Sequence, residues 1–375
     1  MSRRILFWSE RFWPTIGGVG LSSARLLPAL QARGWEFVVV TLKENADLPE
    51  EDSFHGMRVC RWPFWTAVSS KDPFQMLSLR KRVAALKREF APDLIHIDFL
   101  GSSVLFHEQT KDAHPAPVLV STDSAFLEDA VGRDSLAGRT LLSADWVTCV
   151  SNFHLVAMRE AMPEIVPRSS CVYKGRRSPD IKPGKPPASP RILCLGRLVQ
   201  SKGFDLALSA FASISSRYPD SRLIIGGDGP DRPELEQQIK TLGMQARVDM
   251  LGWVDPDDVP ELMNSATLIL IPSRSEGLPN VAKEAGLMSR PVVATRVGGL
   301  PEVIDHGETG LIIDPGDASA LSDSVTYLLD HADEAAEMGR RARTRVSRIF
   351  DFETYATAYE NLYEMLTAEG RMGAI

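Results

Sequence analysis

Twelve short apolar runs, six on each side of a proline-rich stretch, alternate with helix-length segments along this chain. No other feature restricts the fold as much. Strands separated by single helical crossovers pair in parallel, and a parallel sheet needs helices over both faces. In the first half the runs are Ile5–Ser9, Phe37–Leu42, Leu94–Ile97, Val118–Ser121, Trp146–Val150 and Ser170–Tyr173. In the second half they are Arg191–Gly196, Arg222–Gly226, Val248–Leu251, Leu268–Ile271, Pro291–Ala294 and Gly310–Ile313. Between the first two, Gly20–Arg33 carries Leu21, Ala24, Leu27, Pro28 and Leu30 at helical spacing and stops at Gly34.

The stretch Ser178–Pro190 holds five prolines in thirteen residues. It can neither extend a helix nor sit in a central strand, so it reads as an extended linker. The expected organisation is a domain over 1–177, a linker over 178–190, a second domain over 191–350 and a terminal segment over 351–375. Within that segment Phe352–Thr367 is apolar at 352, 355, 356, 359, 362, 363 and 366. A helix with so wide an apolar face must dock on something sizeable, and packing across the domains is one option.

Length and charge agree with a division. At 375 residues the chain is roughly twice what one hydrophobic core supports. Residues 1–185 carry 24 Lys and Arg against 21 Asp and Glu, net +3, which leaves 18 against 28, net −10, for residues 186–375. With 44% hydrophobic and 24% charged residues the composition is that of a globular protein. Nucleic acid is not an expected partner, since no basic stripe is interleaved with aromatics. The cysteines at 60, 149, 171 and 194 form no CxxC pair and read as small buried hydrophobes. The apolar stretch after Met1 is too short for a signal-peptide core, and no segment is long enough to span a bilayer, so a cytoplasmic location is expected.

Residues with chemical potential gather where runs end, the place where open parallel sheets bind ligands. Pro14-Thr-Ile-Gly17-Gly18-Val-Gly20 lies between the first run and the first helix, where backbone can approach an anion at a helix terminus. A glycine-tolerant surface turn is the plain alternative. It is no nicotinamide-binding fingerprint, because the Glu10–Ile16 loop is too long for that tight turn. Gly196-Arg197 and Lys202-Gly203 place two cations five residues apart, a planar fork and a point charge able to converge on a diphosphate. Ile225-Gly-Gly227-Asp-Gly-Pro230 ends a strand in a glycine turn. Most informative is Ile271-Pro-Ser-Arg-Ser-Glu276-Gly277-Leu278-Pro279-Asn280-Val-Ala-Lys-Glu284. A strand ends, a turn follows and a helix begins, so free amides face phosphate oxygens. The two glutamates flank that terminus, and each carboxylate can accept hydrogen bonds from adjacent sugar hydroxyls.

Taken together these stretches strongly resemble the retaining glycosyltransferases of family 4. Glu276 and Glu284 match the family's glutamate, seven residues, glutamate motif. Gly196-Arg-Leu with Lys202-Gly203 matches its cationic pair, and Thr295-Arg-Val-Gly-Gly-Leu-Pro-Glu302 with Gly310–Gly316 matches its C-terminal segments. The resemblance covers essentially the whole chain and is densest from 191 to 320. It implies an α/β GT-B fold, two Rossmann-like parallel-sheet domains facing each other across a cleft. It also implies transfer of a sugar, with retention, from a UDP- or GDP-linked donor to an unidentified acceptor. Arg197 and Lys202 would neutralise the diphosphate, Glu284 would hold the ribose hydroxyls and Glu276 would contact the transferred sugar. The amides of Gly277, Leu278 and Asn280, the Gly17-Gly18 loop and the turns at Gly196 and Gly227 would add contacts. The backbone at Trp253-Val254 would meet the base. No metal, other cofactor or protein nucleophile is implied. Asp255-Pro-Asp257-Asp258 imitates the DxD of metal-dependent sugar transferases, but reads as helix-capping chemistry.

The chain departs from the family pattern on the acceptor side. Thr122 stands where a histidine is frequent, with Asp123 beside it counted among the catalytic residues. A threonine hydroxyl can bond a sugar but carries no charge. His96-Ile-Asp98 replaces a frequent His-x-His, and Tyr173-Lys174-Gly175 replaces Pro-Asn-Gly; His96 is either a core residue or one step behind the substrate. Two other readings compete: a nucleotide-sugar epimerase or hydrolase of the same fold, and a degenerate sugar-nucleotide-binding regulator. Finally, Leu79-Arg-Lys-Arg82 and Lys87-Arg88, with the aromatics of Arg61-Trp-Pro-Phe-Trp65, suggest that the first domain meets a membrane surface or an anionic acceptor, peripheral at the inner membrane face. A solvated basic helix face is the plain alternative.

Overall fold

The computed structural model describes residues 3–14, 18–98, 100–122 and 132–372. Internal contacts divide the chain into two units, one of residues 1–174 with 353–375 and the other of residues 175–352.

The first unit is built on strands β1 (Arg4–Ser9), β2 (Glu36–Leu42), β3 (Glu51–Phe54), β4 (Met57–Trp62), β5 (Leu94–Ile97), β6 (Val118–Thr122), β7 (Trp146–Cys149) and β8 (Ser169–Cys171). Among the described residues they form one sheet in the order β3-β4-β2-β1-β5-β6-β7-β8. Only β3 runs antiparallel, against β4. Ile5, Leu6, Phe7 and Trp8 are completely buried, as both faces of a parallel sheet demand. The β3–β4 pair has no counterpart in the apolar runs. Its outer strand, Glu-Asp-Ser-Phe, is mostly polar because it lies at the sheet edge, and His55 and Gly56 turn it with positive φ.

The second unit holds β9 (Arg191–Leu195), β10 (Arg222–Gly226), β11 (Val248–Gly252), β12 (Leu268–Ile271), β13 (Val292–Thr295) and β14 (Gly310–Ile313). Every pairing among them is parallel, in the order β11-β10-β9-β12-β13-β14. Renumbered within the unit this is 3-2-1-4-5-6, a doubly wound Rossmann order whose direction reverses between β9 and β12.

The terminal helix runs Phe352–Met372, and from Glu353 onward it belongs to the first unit. Tyr359 and Tyr363 are buried there, and Arg33 holds Glu353 and Glu360 at 2.8 and 2.7 Å. The proline-rich 178–190 stretch falls inside the second unit. Asn264 fastens it, accepting from the Gly184 amide at 2.7 Å and donating to the Lys182 carbonyl at 3.3 Å. Chain therefore passes between units at 174–175 and 352–353, where the two segments lie side by side as an Arg176–Asp351 bridge. Among the described residues no helix is long and apolar enough to cross a membrane.

Candidate functional site

In the second unit the crevice at the reversal point is formed by the loops leaving β9 and β12. β9 leads through Gly196 and Arg197 to the short turn Gln200–Lys202 and then the helix Phe204–Ile214. The Arg274 amide donates to the Ser201 carbonyl at 2.7 Å, tying this loop to the one after β12. At Gly203, φ is +66°, and an added Cβ would fall 2.0 Å from the Pro272 carbonyl oxygen. Only glycine lets these two loops approach so closely.

That approach places Lys202 Nζ 2.7 Å from Glu276 Oε1, and Ser273 Oγ donates to the same oxygen at 2.7 Å. Glu276 is buried, and its Oε2 has no partner among the described residues. The carboxylate is thus held by one edge, with acceptor capacity left over. Support comes from behind, where the Gly299 amide donates to the Gly277 carbonyl at 2.8 Å. A Cβ on Gly298 would stand 1.7 Å from the Glu276 carbonyl oxygen. The Thr295–Glu302 segment acts here as a brace for the Glu276 loop.

The helix Asn280–Leu287 begins after Pro279 without a side-chain cap, so the N–H groups of its first turn are not satisfied by a capping side chain. Glu284 lies one turn in. It does not join Lys202; its Oε1 is 3.0 Å from Nη2 of Arg176, a buried guanidinium. Arg197 is exposed and has no ion pair among the described residues. On the neighbouring turn, Gly227 has φ +132° and would place a Cβ 1.9 Å from the Gly196 carbonyl oxygen. Its amide donates to the Gly252 carbonyl at 2.7 Å, just before Trp253, which is exposed, and Val254, which packs at Gly226. A nearby depression of about 330 Å³ is lined in part by Asp205, Asp231 and Glu234, a charge that repels a diphosphate. Asp255 is engaged in its own turn, Oδ1 accepting from the Asp257 amide at 3.0 Å.

In the first unit, Gly18 opens the helix Gly18–Ala32, while Gly17 and Asp123 lie outside the described residues. Thr122 is buried at the end of β6, and its hydroxyl donates to the Thr148 carbonyl at 3.2 Å rather than into open space. Asp98 accepts from the Ser23 hydroxyl and lies 3.9 Å from Lys174 Nζ. His96 is a core residue, with Nδ1 2.6 Å from the Tyr363 hydroxyl and Nε2 2.7 Å from Ser121 Oγ. Burial, helped by the charge of Lys174, pushes its imidazole down to about 3, so it is neutral at physiological pH. The expected aromatic patch is largely internal: Arg61, Trp62 and Phe64 are buried, as is Lys87, and Trp65 alone of that run is well exposed.

Sequence reasoning passed over Arg176 and Ser273. The only signal for Arg176 was a pair of cations directly after the anomalous Tyr173-Lys174-Gly175.

Residues 16–207 match the family model described as Glycosyltransferase Family 4, and residues 177–345 match that described as Glycosyl transferases group 1. Alpha-D-kanosaminyltransferase of Streptomyces kanamyceticus is 34% identical over 153 residues, 41% of this chain and 40% of its own length, so it is matched over less than half its extent. N-acetyl-alpha-D-glucosaminyl L-malate synthase of Bacillus anthracis is 26% identical over 97% of this chain and 98% of its own. Among solved structures, Anabaena HepE in complex with UDP-glucose is similar at a TM-score of 0.80 and 22% identity, over 97% of this chain and 100% of that one.

Proposed function

The chain belongs to glycosyltransferase family 4 and has the Rossmann-like units of the GT-B fold, and on that footing we propose which glycosyl transfer it performs and with which residues. It is a glycosyltransferase. The reaction is retaining, takes a UDP- or GDP-linked sugar in the second unit, and needs no metal. One observation carries this reading: the reversal point of the second sheet brings Lys202 against Glu276, with the uncapped helix Asn280–Leu287 directly after. Lys202 uses one of its N–H groups on Glu276 and keeps two for phosphate oxygens. Arg197 offers an exposed fork, and the helix terminus adds amides at Asn280 beside those of Gly277 and Leu278. Together these supply positive potential locally, in a half of the chain whose net charge opposes it. Oε2 of Glu276 is open to a sugar hydroxyl, and Glu284 to the ribose. Catalysis on this reading is positioning and stabilisation of the departing diphosphate beside an oxocarbenium-like sugar. That the solved relative HepE holds UDP-glucose favours a UDP-linked donor. Asp255, committed to its own turn, gives no support to a metal-binding DxD.

Isothermal titration with UDP and with GDP tests this. Binding of one of them, weakened at least tenfold in Lys202→Ala, supports it; binding of neither at millimolar concentration overturns it. A panel of nucleotide sugars read by mass spectrometry then identifies the donor. Donor turnover that never yields a glycosylated acceptor would instead mark an epimerase or hydrolase.

For the acceptor side we propose contact with an anionic membrane surface, through the exposed part of the stretch read in the sequence, Trp65, Arg80, Lys81 and Arg88, joined by Phe74 and Leu77. On the helix Pro73–Phe90, the residues Leu79, Val83, Leu86 and Phe90 face the core, which turns Phe74, Leu77, Lys81 and Arg88 outward. Phe74 is 83% exposed, and Trp65 on the preceding helix 64%. Arg80, Lys81 and Arg88 have no ion pair among the described residues. Apolar tips flanked by unpaired cations suit lipid headgroups of negative charge. Cosedimentation with phosphatidylglycerol vesicles, lost in high salt and in Phe74→Glu, is the expected result; no salt-sensitive binding removes the idea.

A further inference from the structure

Glu284 is not free to choose its own orientation. Nη2 of Arg176 lies 3.0 Å from its Oε1 as an ion pair, and Arg176 is 6% exposed. The arginine's backbone is fixed independently, its N–H donating to the Phe350 carbonyl at 2.8 Å and its residue bridged to Asp351. Nε of the same guanidinium is buried and has no hydrogen-bond partner. Nε and Nη2 form one edge of the guanidinium, the edge that pairs side-on with both oxygens of a carboxylate. The Nη2 end lies against Glu284. Nε of Arg4 and of Arg191 is likewise buried without a partner; that of Arg176 differs in lying on a guanidinium whose Nη2 already faces a carboxylate of the candidate site.

The lone-pair count decides whether Arg176 blocks or helps. A carboxylate offers about four acceptor positions. Arg176 takes at most one, on Oε1, so a vicinal diol still finds acceptors on both oxygens. We propose that Arg176 is a positioning residue: it fixes the Glu284 carboxylate in the orientation that reads the two hydroxyls of the donor's ribose, and so gives the site its preference for ribonucleotides. This rests on the donor-binding reading above. Lys cannot replace it fully, since an ammonium lacks the rigid edge.

The test compares UDP and GDP with their 2′-deoxy forms by isothermal titration, using the full chain and the variants Arg176→Met, Arg176→Lys and Glu284→Gln. In the unaltered protein the tighter ribonucleotide is expected to bind about tenfold better than its deoxy form, the scale of a hydrogen bond to a charged group. In E284Q and R176M the ratio is expected to fall toward one, with R176K between. A merely structural arginine would weaken both nucleotides alike and leave the ratio unchanged. The ratio unchanged in R176M, or in R176K should R176M fail to fold, while E284Q abolishes it, overturns the role of Arg176 and spares the donor site. An unchanged ratio in E284Q overturns it too, by removing the ribose from Glu284. Failure of the unaltered chain to bind either nucleotide overturns the donor-site reading itself.

Discussion

His96 is held neutral between Tyr363 and Ser121, and that has a cost at low pH. Its folded value, down to about 3, lies below the unfolded value near 6.5, so between those limits the unfolded chain binds a proton that the native chain does not. Stability is therefore complete above 6.5 and is lost as pH falls toward 3. His107, buried against Lys87 and also pushed down to about 3, adds in the same direction. His96→Gln should lose less than the unaltered protein between pH 6.5 and 5, by roughly 1.5–2 kcal/mol, as the unfolded histidine goes from half to nearly fully protonated. Tryptophan fluorescence in urea reads this selectively, since six of the seven tryptophans lie in the first unit; equal losses in both proteins would refute it. The cysteines make a second prediction at this scale. Burial pushes Cys60 up to about 12, Cys149 up to about 11 and Cys194 up as well, whereas Cys171 is half-buried. Iodoacetamide at pH 8 should label Cys171 first and the other three only after unfolding, as peptide mass spectrometry will show.

Among the elements, the loop after β12 depends on the turn after β13. Gly298 sits at φ +52° with no room for a Cβ beside the Glu276 carbonyl, while Gly307, at φ +81°, has nothing within 4 Å. Both substitutions by alanine carry the left-handed backbone cost of roughly 1–2 kcal/mol. Only Gly298→Ala must also displace the Glu276 backbone. It should weaken nucleotide binding at least tenfold, with Gly307→Ala binding normally despite a lowered Tm. Equal effects on binding would show that the turn does not brace the loop.

At the scale of the molecule, the first unit is discontinuous: its last helix is made from the end of the chain. The Tyr359 hydroxyl shares hydrogen bonds with those of Ser121 and Thr148 at 2.8 and 3.2 Å, and Tyr363 meets His96, so removing this helix exposes polar groups and rings together. A chain ending at Phe352 should show red-shifted tryptophan emission and rapid proteolysis within residues 1–174; native emission would overturn that dependence. The boundary also illustrates what could be read beforehand. Five prolines mark 178–190 as a non-helical, non-strand segment, and it is one, but the position of the crossing depends on what the segment packs against. Asn264 and Arg290 claim Gly184, so the stretch belongs to the second unit.

By itself the sequence determined twelve of the fourteen strands, all but the β3–β4 edge pair, with the helix-length segments between them and the positions of the tight turns. Backbone sterics and apolar period act over a few residues and do not wait for the rest of the chain. It also determined the residue types of the site, down to Glu276, Glu284, Arg197 and Lys202. Tertiary structure decided which of these meet. The order β11-β10-β9-β12-β13-β14 sets the loops after β9 and β12 side by side, so Lys202 pairs with Glu276 while Glu284 goes to Arg176. It decided likewise that Trp62, Phe64 and Lys87 are interior while Phe74 is not. Charge and burial are pairwise properties, and partners far apart in sequence are chosen by sheet order and helix docking rather than by local pattern.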